Sequence, residues 1–168
     1  MPGNELDFAA LLRSLESAGV RFVVIGGLAM VLHGSDHVTG DIDVSIARDV
    51  VNFGAIVQAL DPFHPRLRGA PLGIPFFWDV RTLQTCINLT LTTDLGKLDL
   101  LGEPVGAPPF EVLWQHAEIG DIGGVSVRFA CLEDLIAMKR AANRPQDQRH
   151  VAELQALRRL LHEDETPE

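Results

Sequence analysis

Val24-Ile25-Gly26-Gly27-Leu28, and after it Thr39-Gly40-Asp41-Ile42-Asp43-Val44, decide how this chain reads. The first stretch is a short apolar strand running into a glycine pair and a helix. The second is a strand with two carboxylates one residue apart. A two-residue step on a strand sets Asp41 and Asp43 on one face, while Ile42, Val44 and Ile46 face a core. Two like charges on one face repel unless a cation lies between them, and carboxylate oxygens are the usual ligands of a hard divalent ion. The alternative is a turn carboxylate followed by an exposed edge residue. Glycines at a helix start offer bare N–H groups to a phosphate. Phosphate cradle and metal carboxylates together read as phosphoryl or nucleotidyl transfer.

Working outward, Asp99 stands alone among apolar residues in Lys97-Leu98-Asp99-Leu100-Leu101. If that strand neighbours Asp41–Ile46, three carboxylates converge on one or two metal ions that bind triphosphate oxygens and activate a hydroxyl. The bland alternative is a solvent-facing residue paired with Lys97. Leu132, Leu135, Ile136 and Lys139 share one helical stripe, and a lysine on a buried stripe needs a partner, either a structural Asp or a phosphate. Asp147 opens the apolar face continued by Val151 and Leu154; a first-turn acid favoured by the helix dipole is the competing reading. Arg140 and Arg144 lie close in sequence and offer phosphate contacts or a solvated face. The six histidines form no metal-ligand motif, and Phe76-Phe77-Trp78 reads as core or as a base-stacking loop. No Walker A or GxGxxG pattern occurs.

The 168 residues carry a net charge of −9, which argues against a large nucleic-acid footprint. Cys86 and Cys131 lack metal spacing and read as reduced core residues of a cytoplasmic protein. Met1–Glu5 shows no leader pattern, and no apolar run approaches the roughly 20 residues of a membrane helix, so no membrane partner is expected.

Periodicity and caps predict helices over Leu6–Ala18 (ending at Gly19), Leu28–His33 (ending at Gly34), a segment capped by Asp49 through Leu60, Pro109–His116, Leu132–Ala142 and Gln146–Leu161. Strands are expected at Arg21–Ile25, Asp41–Ile46, Thr85–Thr92, Lys97–Leu101 and Val125–Phe129. Asp61–Pro75 reads as a long irregular excursion carrying Arg66 and Arg68. The sum is an α/β (α+β) fold: a mixed sheet of about five strands flanked by helices, with a C-terminal helical pair. It forms a single domain over residues 1–161 and an acidic, frayed tail over 162–168.

With these residues in place, the chain resembles the DNA polymerase-β-type nucleotidyltransferase superfamily, in which a glycine pair precedes a DxD strand and a third Asp follows on a later strand. More narrowly it is similar to the compact AbiEii/MenT-like nucleotidyltransferases, often toxins of type IV toxin–antitoxin systems. Phe22-Val23-Val24-Ile25-Gly26-Gly27-Leu28-Ala29, Leu32-His33-Gly34, Thr39–Asp43, Gly96–Leu101 and Leu132–Arg140 carry the likeness, with Asn143-Arg144-Pro145-Gln146-Asp147 close to the family's GRPKD. The resemblance implies the nucleotidyltransferase fold and an enzyme moving a nucleoside monophosphate from an NTP, such as ATP, to a tRNA end, a protein or a small molecule such as an aminoglycoside or lincosamide antibiotic. It implies Mg²⁺ (or Mn²⁺) on Asp41 and Asp43 with Asp99 assisting or acting as base, and a cognate antitoxin as a candidate partner. Gly26, Gly27, Thr39, Lys139 and Arg144 would hold the nucleotide, and Asp147 would order the site. The chain departs from many relatives at His37 and Gly40, where they carry basic residues. Those departures support a rival reading as a nucleotide- or partner-binding module without catalysis.

Overall fold

The computed structural model describes residues 7–165. The leader reading of Met1–Glu5, the start of the first helix at Leu6 and the last three tail residues lie outside that range.

Asp7 caps the first helix, α1 (Phe8–Ser17), by accepting from the Ala10 amide at 2.9 Å. Leu11, Leu12 and Leu15 are its buried stripe, and Gly19 follows at φ +73°. Strand β1 (Phe22–Ile25) runs straight into α2 (Gly26–Leu32), two residues earlier than the sequence pattern predicted. Strand β2 (Asp41–Ile46) then leads to α3 (Val50–Leu60), whose cap Asp49 accepts from Asn52 N at 2.8 Å as expected.

The excursion after Leu60 is more ordered than its Pro and Gly content suggested. It holds one 3₁₀ turn at Asp61–Phe63 and a two-residue strand, β3 (Arg66–Leu67). Helix α4 (Val80–Thr85), capped by Asp79, has no counterpart in the sequence reading and takes Thr85 from the expected strand, and β4 (Asn88–Thr93) starts three residues later than expected. Strand β5 (Gly96–Leu101), α5 (Phe110–His116), β6 (Glu118–Ile122), β7 (Val125–Phe129), α6 (Leu132–Ala142) and α7 (Pro145–Asp164) complete the described chain.

The sheet has seven strands rather than about five, in the order β3-β4-β5-β2-β1-β7-β6. The two added strands, β3 and β6, are its edges. Edge strands with an uncovered face show no clean apolar alternation, and Ile119 in β6 is 61% exposed. At the centre, β2 pairs antiparallel with β1 and parallel with β5, while β1 pairs parallel with β7. The alternation of β2 is realised: Ile42 and Val44 are fully buried, Ile46 nearly so, and Asp41 and Asp43 lie on the other face. Helices α6 and α7 pack on each other, and α6 reaches α2. No helix among the described residues is long and apolar enough to cross a membrane. Both cysteines are free thiols and half-buried rather than fully in the core.

Candidate active site

Strand register does the first part of the assembly. In the parallel β2–β5 ladder Asp43 stands opposite Asp99, and Asp41 opposite Lys97. Residues opposite each other on a ladder share a face, so the Asp41–Asp43 face gains Asp99 without any loop being involved. Oxygens of the three carboxylates lie within 4.8 Å of one another. Thr39 fixes the first of them: its hydroxyl donates to the Asp41 carbonyl at 2.9 Å and approaches Asp41 Oδ1 at 3.5 Å.

Electrostatics single out Asp43. Its burial, then the charge of Asp41 and the contact and charge of Asp99, push its carboxyl up to about 7, with Lys139 pulling the other way. Its carboxyl therefore holds a proton more readily than an ordinary aspartate does.

Gly26 is the first residue of α2, at φ +65°, and a Cβ there would run into the Asp43 carboxylate. Glycine is needed at this position both for the left-handed backbone and for the close approach. At Gly27 a Cβ would meet the His37 ring at 2.9 Å and the Thr39 hydroxyl at 3.1 Å. The glycine pair thus lies directly against Asp43, His37 and Thr39.

The opposite wall comes from α6 and α7. Lys139 Nζ lies 3.5 Å from Asp147 Oδ1, with 13% of the lysine side chain and none of the aspartate exposed. Arg144 encloses the other side of Asp147. Its Nε donates to Oδ2 at 2.7 Å, its Nη2 to Oδ1 at 3.3 Å, and its backbone N–H to Oδ2 at 3.1 Å. The Arg144 hydrogen bonds foremost, with help from Lys139, hold the Asp147 carboxyl down at about 2. The two oddities of the apolar stripes are therefore each other's partners. Between the walls lies a cavity of about 260 Å³, polar at Gly26, Asp43, Lys139 and Arg144 and apolar at Leu101, Val105, Leu135 and Met138.

Arg140 is exposed and lies outside that cavity, beside Asn143 and Gln148. Trp78 does not stack toward the site: its indole N–H donates to the Val57 carbonyl at 3.0 Å, while Phe77 is 70% exposed. Sequence reading missed three features. Arg68, which the sequence places in an irregular stretch, donates to Asp99 Oδ1 at 2.8 Å. His150 packs edge-on against His37 with ring centroids 5.0 Å apart. A group of His116, Cys131 and Asp134 also gathers at the start of α6, with His116 Nδ1 3.0 Å from Asp134 Oδ2. Arg68–Asp99, His37–His150 and His116–Asp134 each join different parts of the fold, so no spacing motif could announce them.

No family model matches the chain, and no curated protein matches it by sequence. Solved structures do match in fold. A lincosamide antibiotic adenylyltransferase, LnuA, with lincomycin bound, superposes with a TM-score of 0.59 at 15% identity over 92% of this chain and 99% of that one. ANT(2″)-Ia in complex with adenylyl-2″-tobramycin gives 0.55 at 14% identity, over 94% and 96%. The Thermotoga maritima protein TM1012, to which nucleotidyltransferase activity is ascribed, gives 0.50 at 17%, over 92% and 90%. At these identities the likeness is one of architecture: the chain shares the fold of these nucleotidyltransferase structures.

Proposed function

We propose that this protein is a Mg²⁺-dependent nucleotidyltransferase that moves a nucleoside monophosphate from an NTP to a hydroxyl-bearing acceptor and releases pyrophosphate. The observation that carries this reading is the meeting of Asp41, Asp43 and Asp99, oxygens within 4.8 Å, on paired central strands. The donor set fits a hard divalent ion: all oxygen, all carboxylate, with one member pushed up to about 7 by its burial and by the other two carboxylates. Bound there, Mg²⁺ would neutralise triphosphate charge and acidify the acceptor hydroxyl.

The remaining work falls to the chain itself, as positioning and charge placement. Asp99 takes the acceptor proton. Gly26 and Gly27 let a phosphate approach the backbone. Lys139 offers its ammonium from the far wall, held in place by the buried Asp147. Arg144 borders the cavity on the same wall, and Thr39 fixes Asp41. The apolar wall of Leu101, Val105 and Met138 suits a base or ribose.

The acceptor is read from charge. Arg66 is paired with Asp94, Arg68 with Asp99 and Arg144 with Asp147, so these cations form no free basic rim for RNA. A net charge of −9 favours a small cationic acceptor. Antibiotic adenylyltransferases among the fold neighbours support that class. The tRNA-end or protein acceptor of the AbiEii/MenT-like toxins, and an antitoxin partner with it, rest on the sequence likeness around Lys139–Asp147.

The test is transfer of label from the four α-phosphate-labelled NTPs with Mg²⁺, against aminoglycosides, lincosamides, total tRNA and protein extract. Labelled product that disappears when Asp41 and Asp43 are both replaced by Ala supports the enzyme. Absence of label transfer and of pyrophosphate release across the whole panel contradicts it and favours a binding module.

A further inference from the structure

Arg68 lies inside the carboxylate group, not on its rim. Nη2 donates both to Asp99 Oδ1 at 2.8 Å and to the Leu91 carbonyl at 2.7 Å, and Nη1 lies 3.9 Å from Asp41 Oδ2. The backbone is fixed as well, since Arg68 N donates to the Thr90 carbonyl at 2.9 Å and prolongs the β3–β4 ladder. An arginine tied at both ends is built into its place, and a planar fork holds that geometry better than a lysine would. Its Nε, however, is buried and bonds to no protein atom among the described residues.

These facts bear on how the site fills. A bare divalent ion entering among Asp41, Asp43 and Asp99 meets a guanidinium already on Asp99 and facing Asp41. It must repel or displace that charge, and an Arg68 displaced from Asp99 would be a half-buried cation without its carboxylate partner. A triphosphate arriving with the ion changes the balance, because its oxygens are strong acceptors that match the guanidinium fork. We propose that Arg68 is the resident counter-cation of the triad and the positioning residue of Asp99. It weakens loading of metal alone and releases Asp99 only when a polyphosphate supplies it with a new partner. This rests on the nucleotidyl-transfer reading of the same site.

The experiment is equilibrium dialysis of Mn²⁺ against metal-free protein, with and without inorganic triphosphate at matched free Mn²⁺. Wild type should bind Mn²⁺ weakly alone and gain strongly from triphosphate. Arg68→Gln should bind Mn²⁺ alone roughly tenfold more tightly, as expected on removing a cation at contact distance, and should gain little from triphosphate. Arg68→Lys, which keeps the charge but not the fork, should fall between them and covers the case in which the Gln variant folds poorly. Asp99→Asn should lose the tight binding in the Arg68→Gln background. Mn²⁺ affinity in Arg68→Gln no higher than in wild type overturns the proposal, as does tight binding that survives Asp99→Asn. Failure of label transfer with the Mn²⁺ pattern intact would remove the transferase reading and leave the role of Arg68 standing. Unchanged Mn²⁺ affinity with label transfer intact would remove the role of Arg68 alone.

Discussion

Asp43 lines the cavity, whereas Asp147 lies fully buried behind its opposite wall, paired with Lys139 and Arg144, and the two carboxyls are shifted in opposite directions. Asp147 is fully buried yet held down at about 2, because a guanidinium, a backbone N–H and an ammonium converge on it. Asp43 is pushed up to about 7, first because burial penalises its charged form and then because its nearest charged neighbours are two more carboxylates. Burial disfavours the charged form of both; convergent donors overcome it at Asp147, and neighbouring acids add to it at Asp43. Asp147 is a completed structural element, while Asp43 is left incomplete by its own chain. Under the proposed function, Asp43 is where a cation would bind.

The largest effect should come from opening the finished side. Asp147→Ala strands the mostly buried Lys139 and uncaps α7, and about 3 kcal/mol of stability should be lost in denaturant unfolding. The pH dependence has a definite sign. A carboxyl lowered from the usual 3.8 to about 2 stabilises the fold above pH 4, and that contribution vanishes as pH falls from about 4 to 2. Asp147→Asn should flatten this acid limb. Wild-type stability that is insensitive to acid over that range would break the contrast.

Gly26→Ala comes next. It forces a side chain into the left-handed region against the Asp43 carboxylate, and about 2 kcal/mol should be lost. The contrast sharpens if the cost of that alanine shrinks when Asp43 is replaced by a smaller residue, read as a double-mutant cycle.

The smallest effect concerns the charge missing beside Asp41. A Cβ at Gly40 meets nothing within 4 Å, so Gly40→Lys should fold with stability within about 0.5 kcal/mol of wild type. If nucleotide binding is limited by positive charge at this edge, KM for the NTP should fall a few-fold with kcat little changed. An unchanged or raised KM would place the limitation elsewhere.

What the sequence disclosed follows from which interactions are periodic. Asp41 and Asp43 were legible because a strand repeats every two residues, and Asp99 because one acid interrupts an apolar strand. Lys139 and Asp147 betrayed themselves as charges on helical stripes, although only the fold shows them 3.5 Å apart. Arg68 was noticed but not placed. It lies in a Pro- and Gly-rich stretch without period, and its partner Asp99 is 31 residues away on another strand. The edge strands β3 and β6 were invisible for the same reason they are edges: one side is unpaired, so burial imposes little pattern. Helix α4 was not expected, and only its last residue, Thr85, falls in the strand read from alternation; the Asp79 cap decides the local conformation.

The central claim, that Asp43 belongs to a charge-deficient cation site, has a direct measurement: thermal unfolding of metal-free wild type and Asp43→Asn at pH 5 and pH 8, each with and without Mg²⁺. A carboxyl raised from 3.8 to about 7 gives stability that is fully present below pH 4 and is lost as pH climbs through 7. The loss is on the order of a few kcal/mol. Metal-free wild type should therefore be less stable than Asp43→Asn at pH 8 and much closer to it at pH 5, and Mg²⁺ should stabilise wild type at pH 8 but not the variant. Asp43→Asn less stable than wild type at pH 8, together with no response of wild type to Mg²⁺, would contradict the account.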